Sequence, residues 1–218
     1  MAPREVLPRC LDQKSLGKAV SALARKDARL ARIHRELGPP PLWAREPGFP
    51  TLVYIILEQQ VSLASARAAW LRLQAATGTL TPETFLALKD GELKRIGFSR
   101  QKAAYCRGLA RSVLDRELAL DELPHLDDEA ARSALVRIKG IGPWTADIYL
   151  MEALLRPDVW PAGDIALATA YQECYGLASR PTPDRLEKAG NRWRPWRAVA
   201  ARLLWHQYLS ARRPLSHP

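Results

Sequence analysis

Cysteine is scarce in this chain of 218 residues: three residues, Cys10, Cys106 and Cys174, odd in number and far apart. That count excludes a disulfide framework, and the spacing offers no zinc-ligand pattern. The N-terminus, MAPREVLPRC, lacks a secretory apolar stretch. With few and scattered cysteines, it leads us to expect a cytoplasmic, reducing location. No apolar run is long enough to span a bilayer, so no membrane partner is expected. Nor does any stretch alternate apolar and polar residues as a half-buried strand would. Acidic residues are in deficit, 23 against 33 lysines and arginines, for a formal net charge of +10. Excess of that sign suits a polyanion such as nucleic acid, although a basic, arginine-rich proteome alone would also produce it.

What is present is helical. Apolar residues make up 47% of the chain, as in a globular protein with one large core or two small ones. A basic helix is predicted over 14–37, with Leu16, Ala19, Val20, Leu23, Leu30, Ile33 and Leu37 as its apolar stripe and Gly38-Pro39-Pro40-Pro41 as its stop. Residues 51–63, TLVYIILEQQVSL, are apolar on nearly every side until Glu58, which predicts a buried helix. Its polar end, Glu58-Gln59-Gln60 and Ser62, reads on pattern alone as a solvated terminus. A helix follows over 64–78. Thr81-Pro82-Glu83 reads as a cap, first position and acidic first turn. A short helix over 90–96 ends at Gly97. Ser99 caps a helix over 100–116, and Asp127 caps another.

The chain is organised around residues 135–164, LVRIKGIGPWTADIYLMEALLRPDVWPAGD. Val136 and Ile138 are the last apolar positions before the turn Lys139-Gly140-Ile141-Gly142. The two glycines allow a sharp bend and close backbone approach. Pro143 suits a first helical turn, and Trp144, Ile148, Met151 and Leu155 recur at helical spacing. Two helices joined this way form a helix-hairpin-helix over 135–155, whose turn N–H groups can receive a phosphate. Asp164 then stands where a helix N-cap belongs, and a carboxylate there faces the positive end of the helix dipole. A further helix starts near Pro195, marked by Trp196, Val199, Ala200, Leu203 and Gln207.

LVRIKGIGPWTAD followed by PAGD resembles the hairpin and catalytic-aspartate segment of the helix-hairpin-helix DNA glycosylases. Trp144, directly after Gly-Ile-Gly-Pro, points to their alkylpurine branch, the 3-methyladenine DNA glycosylase II type. LV-x-x-IL-x-QQ-x-S at 52–62, IGFSRQKAAYCRGLA at 96–110 and RW-x-PWR, with Trp205 twelve residues after Trp193, carry the same resemblance over about residues 47–209. It implies an all-α fold of two helical subdomains around the hairpin. Residues 1–46 would form a helical extension packing on a glycosylase core at 47–218, with no room for an N-terminal α/β domain.

The resemblance also implies an activity: release of alkylated purines, of the 3-methyladenine and 7-methylguanine type, from double-stranded DNA. Such an enzyme flips the damaged nucleotide out of the helix. Asp164 would be the catalytic carboxylate. Trp144 and Trp205 would flank the base, although core packing is the alternative for both. Gln60 would wedge into the vacated stack, with Gln59 and Ser62 lining the site. Lys139, Gly140 and Gly142 would bind phosphate. Lys102 would touch phosphate or be merely solvated. Backbone carbonyls of Val136, Ile138 and Ile141 would hold a monovalent cation, sodium or potassium; no other cofactor is implied. No four-cysteine loop for an iron–sulfur cluster is present. With Trp144 where bifunctional relatives place a lysine, the resemblance implies a monofunctional glycosylase without lyase activity, acting as a monomer. Three positions depart from the pattern. Ile148 and Ile165 replace pocket tyrosines, implying a more open, less aromatic pocket, and Lys139 replaces a proline. Two other readings remain: a glycosylase for another damaged base, and a non-catalytic helix-hairpin-helix DNA-binding protein.

Overall fold

The computed structural model describes residues 10–212, and among these there are helices and loops but no strand. The chain divides into two compact units, residues 45–154 and residues 1–44 with 155–218. The division expected from the sequence is 1–46 and 47–218. The N-terminal helices share a core with the last helices of the chain, because both present continuous apolar faces to the same long helix.

In the unit built from both ends of the chain, α1 (Gln13–Lys26) and α2 (Ala28–Leu37) are followed by α10 (Ile165–Tyr175), α11 (Pro183–Gly190) and α12 (Arg197–Ala211), after the sequence has passed through the other unit. Helix α12 is the axis. Every side chain from Arg197 to Trp205 is buried, and α1, α2 and α10 pack on it. Leu16, Ala19, Val20 and Leu23 of α1 and Leu30 and Ile33 of α2 supply the covering face, each large aliphatic side chain contributing about 2 kcal/mol by burial.

The single basic helix expected over 14–37 is two helices, because Asp27 takes an extended backbone and ends one as it begins the next. One carboxylate oxygen accepts the Arg29 and Leu30 N–H groups (3.0 and 3.4 Å), and the other accepts the Tyr175 hydroxyl (2.6 Å) and the Trp193 indole N–H (3.1 Å). Burial opposes the charge on Asp27, but these donors outweigh it and hold its pKa below the ordinary 3.8. Burial and the bond to Asp27 push the Tyr175 hydroxyl well above its usual range. Because the folded carboxyl titrates below the unfolded one, its contribution is complete above pH 3.8 and disappears as pH falls through the lowered folded value. Asp27→Asn should therefore lose about 1–2 kcal/mol at neutral pH, the worth of charge-assisted bonds. It should also lose less than wild type on acidification, read from urea unfolding at a series of pH values. Identical acid limbs for the two proteins would exclude Asp27 as the source.

In the unit formed by residues 45–154, α3 (Phe49–Glu58) is the centre, with Leu52, Val53, Ile55, Ile56 and Leu57 buried. Against it pack α4 (Leu63–Thr77), α7 (Arg100–Leu114) and α9 (Pro143–Glu152). The small helices α5 (Pro82–Ala87) and α6 (Asp90–Ile96) lie against α7, and α8 (Asp128–Val136) forms a pair with α9. Thr81, Ser99 and Asp127 cap α5, α7 and α8 through their side chains. Helix α3 stops at Glu58 rather than running to residue 63. Gln59 turns extended and Gln60 enters the left-handed region at φ +56°, so the chain leaves the helix before Ser62 caps α4.

Candidate nucleic-acid interface and active site

The hairpin is closed by short local bonds. Helix α8 ends when the Leu135 carbonyl accepts the Ile138 N–H, and Ile138 in turn accepts from Ile141, both at 3.0 Å. Gly142 is the N-cap of α9, and no side chain caps that end. Among the described residues, neither the Gly140 nor the Gly142 N–H donates to a backbone carbonyl. Two N–H groups at the positive end of a helix make an anion site. Lys139 beside them is exposed.

The two glycines differ in role. Gly140 has φ +97°, and a Cβ there would lie 2.3 Å from the Tyr105 ring; a Cβ on Gly142 would meet nothing within 4 Å. Gly140 thus serves the fold of the turn, and Gly142 leaves its outer surface open. Tyr105 gave no sequence signal, since its contact with Gly140 links residues far apart in the chain.

The carbonyls expected to bind a cation belong to the same turn. Ile138 is occupied by the Ile141 N–H, whereas the Val136 and Ile141 carbonyls take no backbone N–H among the described residues. The Val136 carbonyl lies at the C-terminal, negative end of α8, whereas Ile141 directly precedes the Gly142 N-cap of α9.

Beside the hairpin, within the same unit, stands the Gln59–Ser62 loop. Gln59 donates its amide to the Gly140 carbonyl and the Thr145 hydroxyl, both at 2.9 Å. Lys102 donates its ammonium to the Leu57 and Gln59 carbonyls, both at 2.7 Å. Lys102 is thus turned onto the end of α3, where helix carbonyls have no partner of their own. Gln59 ties the loop to the hairpin. Ser62 accepts the Ser65 N–H (3.2 Å) as the cap of α4. Gln60 is left exposed at the tip, in a backbone conformation that side chains rarely adopt.

The carboxylate lies in the other unit. Asp164 is the N-cap of α10: its Oδ1 accepts the Leu167 N–H at 2.6 Å and the Trp205 indole N–H at 3.2 Å. The capping role read from the sequence is present, and the indole is an addition to it. Trp205 is 9% exposed, buried on α12, and meets the Trp43 ring edge-on at 6.3 Å and 75°. Trp144 is half-buried in the first turn of α9. Of the two isoleucines at departing positions, Ile148 is packed in α9 at 4% exposure and Ile165, next to Asp164, is 69% exposed.

The glycine turn joining α8 and α9 is a helix-hairpin-helix, and Asp164 is a capping carboxylate that also accepts an indole N–H. The chain belongs to the HhH-GPD superfamily of base excision DNA repair proteins, whose pattern matches residues 53–195. It is 32% identical over 184 residues to the putative DNA-3-methyladenine glycosylase YfjP of Bacillus subtilis, spanning 81% of this chain and 64% of that protein. It is 28% identical to a DNA-3-methyladenine glycosylase of the same organism, spanning 56% of its length. The chain thus covers less than two thirds of these two relatives. Among solved structures, Schizosaccharomyces pombe 3-methyladenine DNA glycosylase Mag1 in complex with abasic DNA superimposes with a TM-score of 0.82 at 27% identity, over 86% of this chain and 95% of that one.

Proposed function

We propose that this protein is a monofunctional DNA glycosylase that hydrolytically releases alkylated purines from double-stranded DNA, acting as a monomer. The observation that carries this reading is Asp164, whose carboxylate is fixed by the Leu167 N–H and the Trp205 indole. The names of the relatives supply the lesion class.

A purine alkylated at N3 or N7 is positively charged and already a good leaving group, so the enzyme need supply little acid catalysis. As the glycosidic bond breaks, the sugar becomes oxocarbenium-like. A fixed carboxylate stabilises that charge and orients the attacking water. Lysine nucleophiles of bifunctional glycosylases follow the hairpin turn, where an amine can form a Schiff base with the sugar. Here that position is Trp144, and Lys139 precedes the turn. The hairpin N–H groups and Lys139 hold phosphate, and Gln60 fills the gap left by the extruded base. A monovalent cation held by the carbonyls of Val136 and Ile141, with Ile138 beside them, would add positive charge where the DNA backbone approaches.

The test is base release from duplexes carrying single defined lesions, with borohydride present in a parallel reaction. Release of 3-methyladenine or 7-methylguanine with an intact strand and no trapped adduct is expected. A trapped protein–DNA adduct would establish an amine nucleophile and overturn the monofunctional reading.

The glycines give a separate test of the anchor. Gly142→Ala should leave the unfolding midpoint unchanged, since its Cβ meets nothing, and weaken duplex affinity about tenfold, or ~1.4 kcal/mol. Gly140→Ala should cost about 2 kcal/mol of stability through its positive φ and the Tyr105 ring. Wild-type DNA affinity in Gly142→Ala would remove the turn as the phosphate anchor.

A further inference from the structure

We infer that Trp43 is a positioning residue for Asp164, acting through Trp205. The inference rests on the reading of Asp164 as the catalytic carboxylate, and every residue in it belongs to one compact unit.

Asp164 Oδ1 has two donors of different kinds. The Leu167 N–H is part of α10 and would hold any capping carboxylate. The Trp205 indole N–H is carried on a side chain from α12, so the direction of that donor depends on how the indole is held. The Trp43 and Trp205 rings meet edge to face, with centroids 6.3 Å apart and a 75° angle between the planes. This is the arrangement in which the positive edge of one ring meets the negative face of the other, a directional contact rather than mere bulk.

Holding Trp43 there is costly in two ways. Its backbone has φ +48°, a conformation worth about 1–2 kcal/mol of strain for a residue with a Cβ. Next to it, the Leu42 carbonyl accepts the Arg202 Nε–H at 2.9 Å. Arg202 is fully buried, and taking a guanidinium out of water is itself unfavourable. Arg202 lies three residues before Trp205 on α12, so the two side chains share one face of that helix. Arg202 also donates to the Ala198 carbonyl at 3.1 Å within α12, so its burial serves that helix as well. A loop that only joined α2 to the next unit would not need the strained residue at 43, which is explained if the segment exists to set one indole against another, and through it the carboxylate. The order of support runs from Arg202 to the Leu42 carbonyl, to Trp43, to Trp205, to Asp164.

The experiment uses the full chain with Trp43→Leu, Trp43→Phe, Trp205→Phe and the Trp43→Leu/Trp205→Phe pair. Single-turnover release of 7-methylguanine and affinity for the same duplex are both measured. Trp43→Leu should slow release roughly tenfold, the scale set by a small misplacement of a reacting group, and leave affinity within about twofold. Trp43→Phe, which keeps an aromatic edge, should restore most of the rate. Trp205→Phe removes the indole N–H, so the pair should be no slower than the worse single variant. Multiplying losses in the pair, or a loss confined to affinity, would overturn the inference and make Trp43 a contact for base or DNA. A second readout needs no activity: the Asp164 side-chain carboxyl carbon resonance should move in Trp43→Leu and return toward wild type in Trp43→Phe. A wild-type protein that releases no base would defeat the proposed activity, and the carboxyl resonance would then decide the positioning role. An unmoved resonance would overturn it.

Discussion

Asp164→Asn is expected to lose base release by about two to four orders of magnitude, the range that one positioned acid–base group supplies, while lesion-duplex affinity stays nearly unchanged. The substitution is unusually clean. Asparagine is as good a helix N-cap as aspartate, and its amide oxygen can accept both the Leu167 N–H and the Trp205 indole N–H that now meet Oδ1. Size and cap survive, and the negative charge is removed. A loss in turnover with retained affinity therefore measures transition-state stabilisation rather than binding. Thermal unfolding should change by less than about 1 kcal/mol, which separates the chemical role from the structural one. Near-normal release of 7-methylguanine by this variant would return Asp164 to a plain helix cap and leave the protein without an identified catalytic group.

The largest stability effect is expected at Arg45. Its guanidinium makes two bonds to Glu58 (2.9 and 3.1 Å), and its Nε lies 2.6 Å from Glu152 as an ion pair; its own N–H donates to the Glu152 carbonyl. The two carboxylates are 7% and 12% exposed. Each belongs to the final residue of its helix, α3 and α9, where the dipole disfavours negative charge. Without Arg45, Glu58 and Glu152 would both lose this guanidinium at two unfavourable helix ends. Arg45→Ala should lower the stability of this unit by about 3–5 kcal/mol, as for other broken buried pairs. Arg45→Lys should recover only part, because an ammonium cannot engage one carboxylate with a fork and still reach the other. Adding Glu58→Gln to Arg45→Ala should restore part of the stability, since it removes the buried charge that Arg45 had neutralised on α3. Chemical denaturation followed by circular dichroism reads all three. If Arg45→Ala unfolds at the wild-type midpoint, the clasp contributes nothing and the ends of α3 and α9 are joined by apolar packing alone.

Local chemistry was legible in the sequence and long-range contacts were not. Thr81, Ser99, Asp127 and Asp164 cap the helices they were expected to cap, because a cap depends on residues one turn apart. The hairpin turn and the all-helical character were equally readable. The break at Asp27 was missed because neither glycine nor proline marks it; the aspartate breaks the helix with its side chain and then serves Tyr175 and Trp193, well over a hundred residues away. Lys102 was assigned to phosphate or solvent because a lysine near a motif carries no sign of which carbonyls lie within reach. Trp43 stands in a loop without periodicity, so nothing in its neighbours distinguishes it from a surface tryptophan. The joining of residues 1–44 with 155–218 was hidden because a sequence shows which helix has an apolar face, not which other helix it meets.

The grip on Gln59 has a consequence for how this protein can change. Its amide is fastened to the hairpin and its carbonyl to the Lys102 ammonium, so the backbone entering residue 60 is set before that residue's side chain contributes anything. Support and tip are separate parts, like a chuck and its bit. If residue 60 is the proposed wedge, exchanging its side chain for another that tolerates the left-handed backbone would alter what is offered to a gap in the base stack without altering where it is offered. A lineage can therefore retool this position one substitution at a time while its neighbours keep their places.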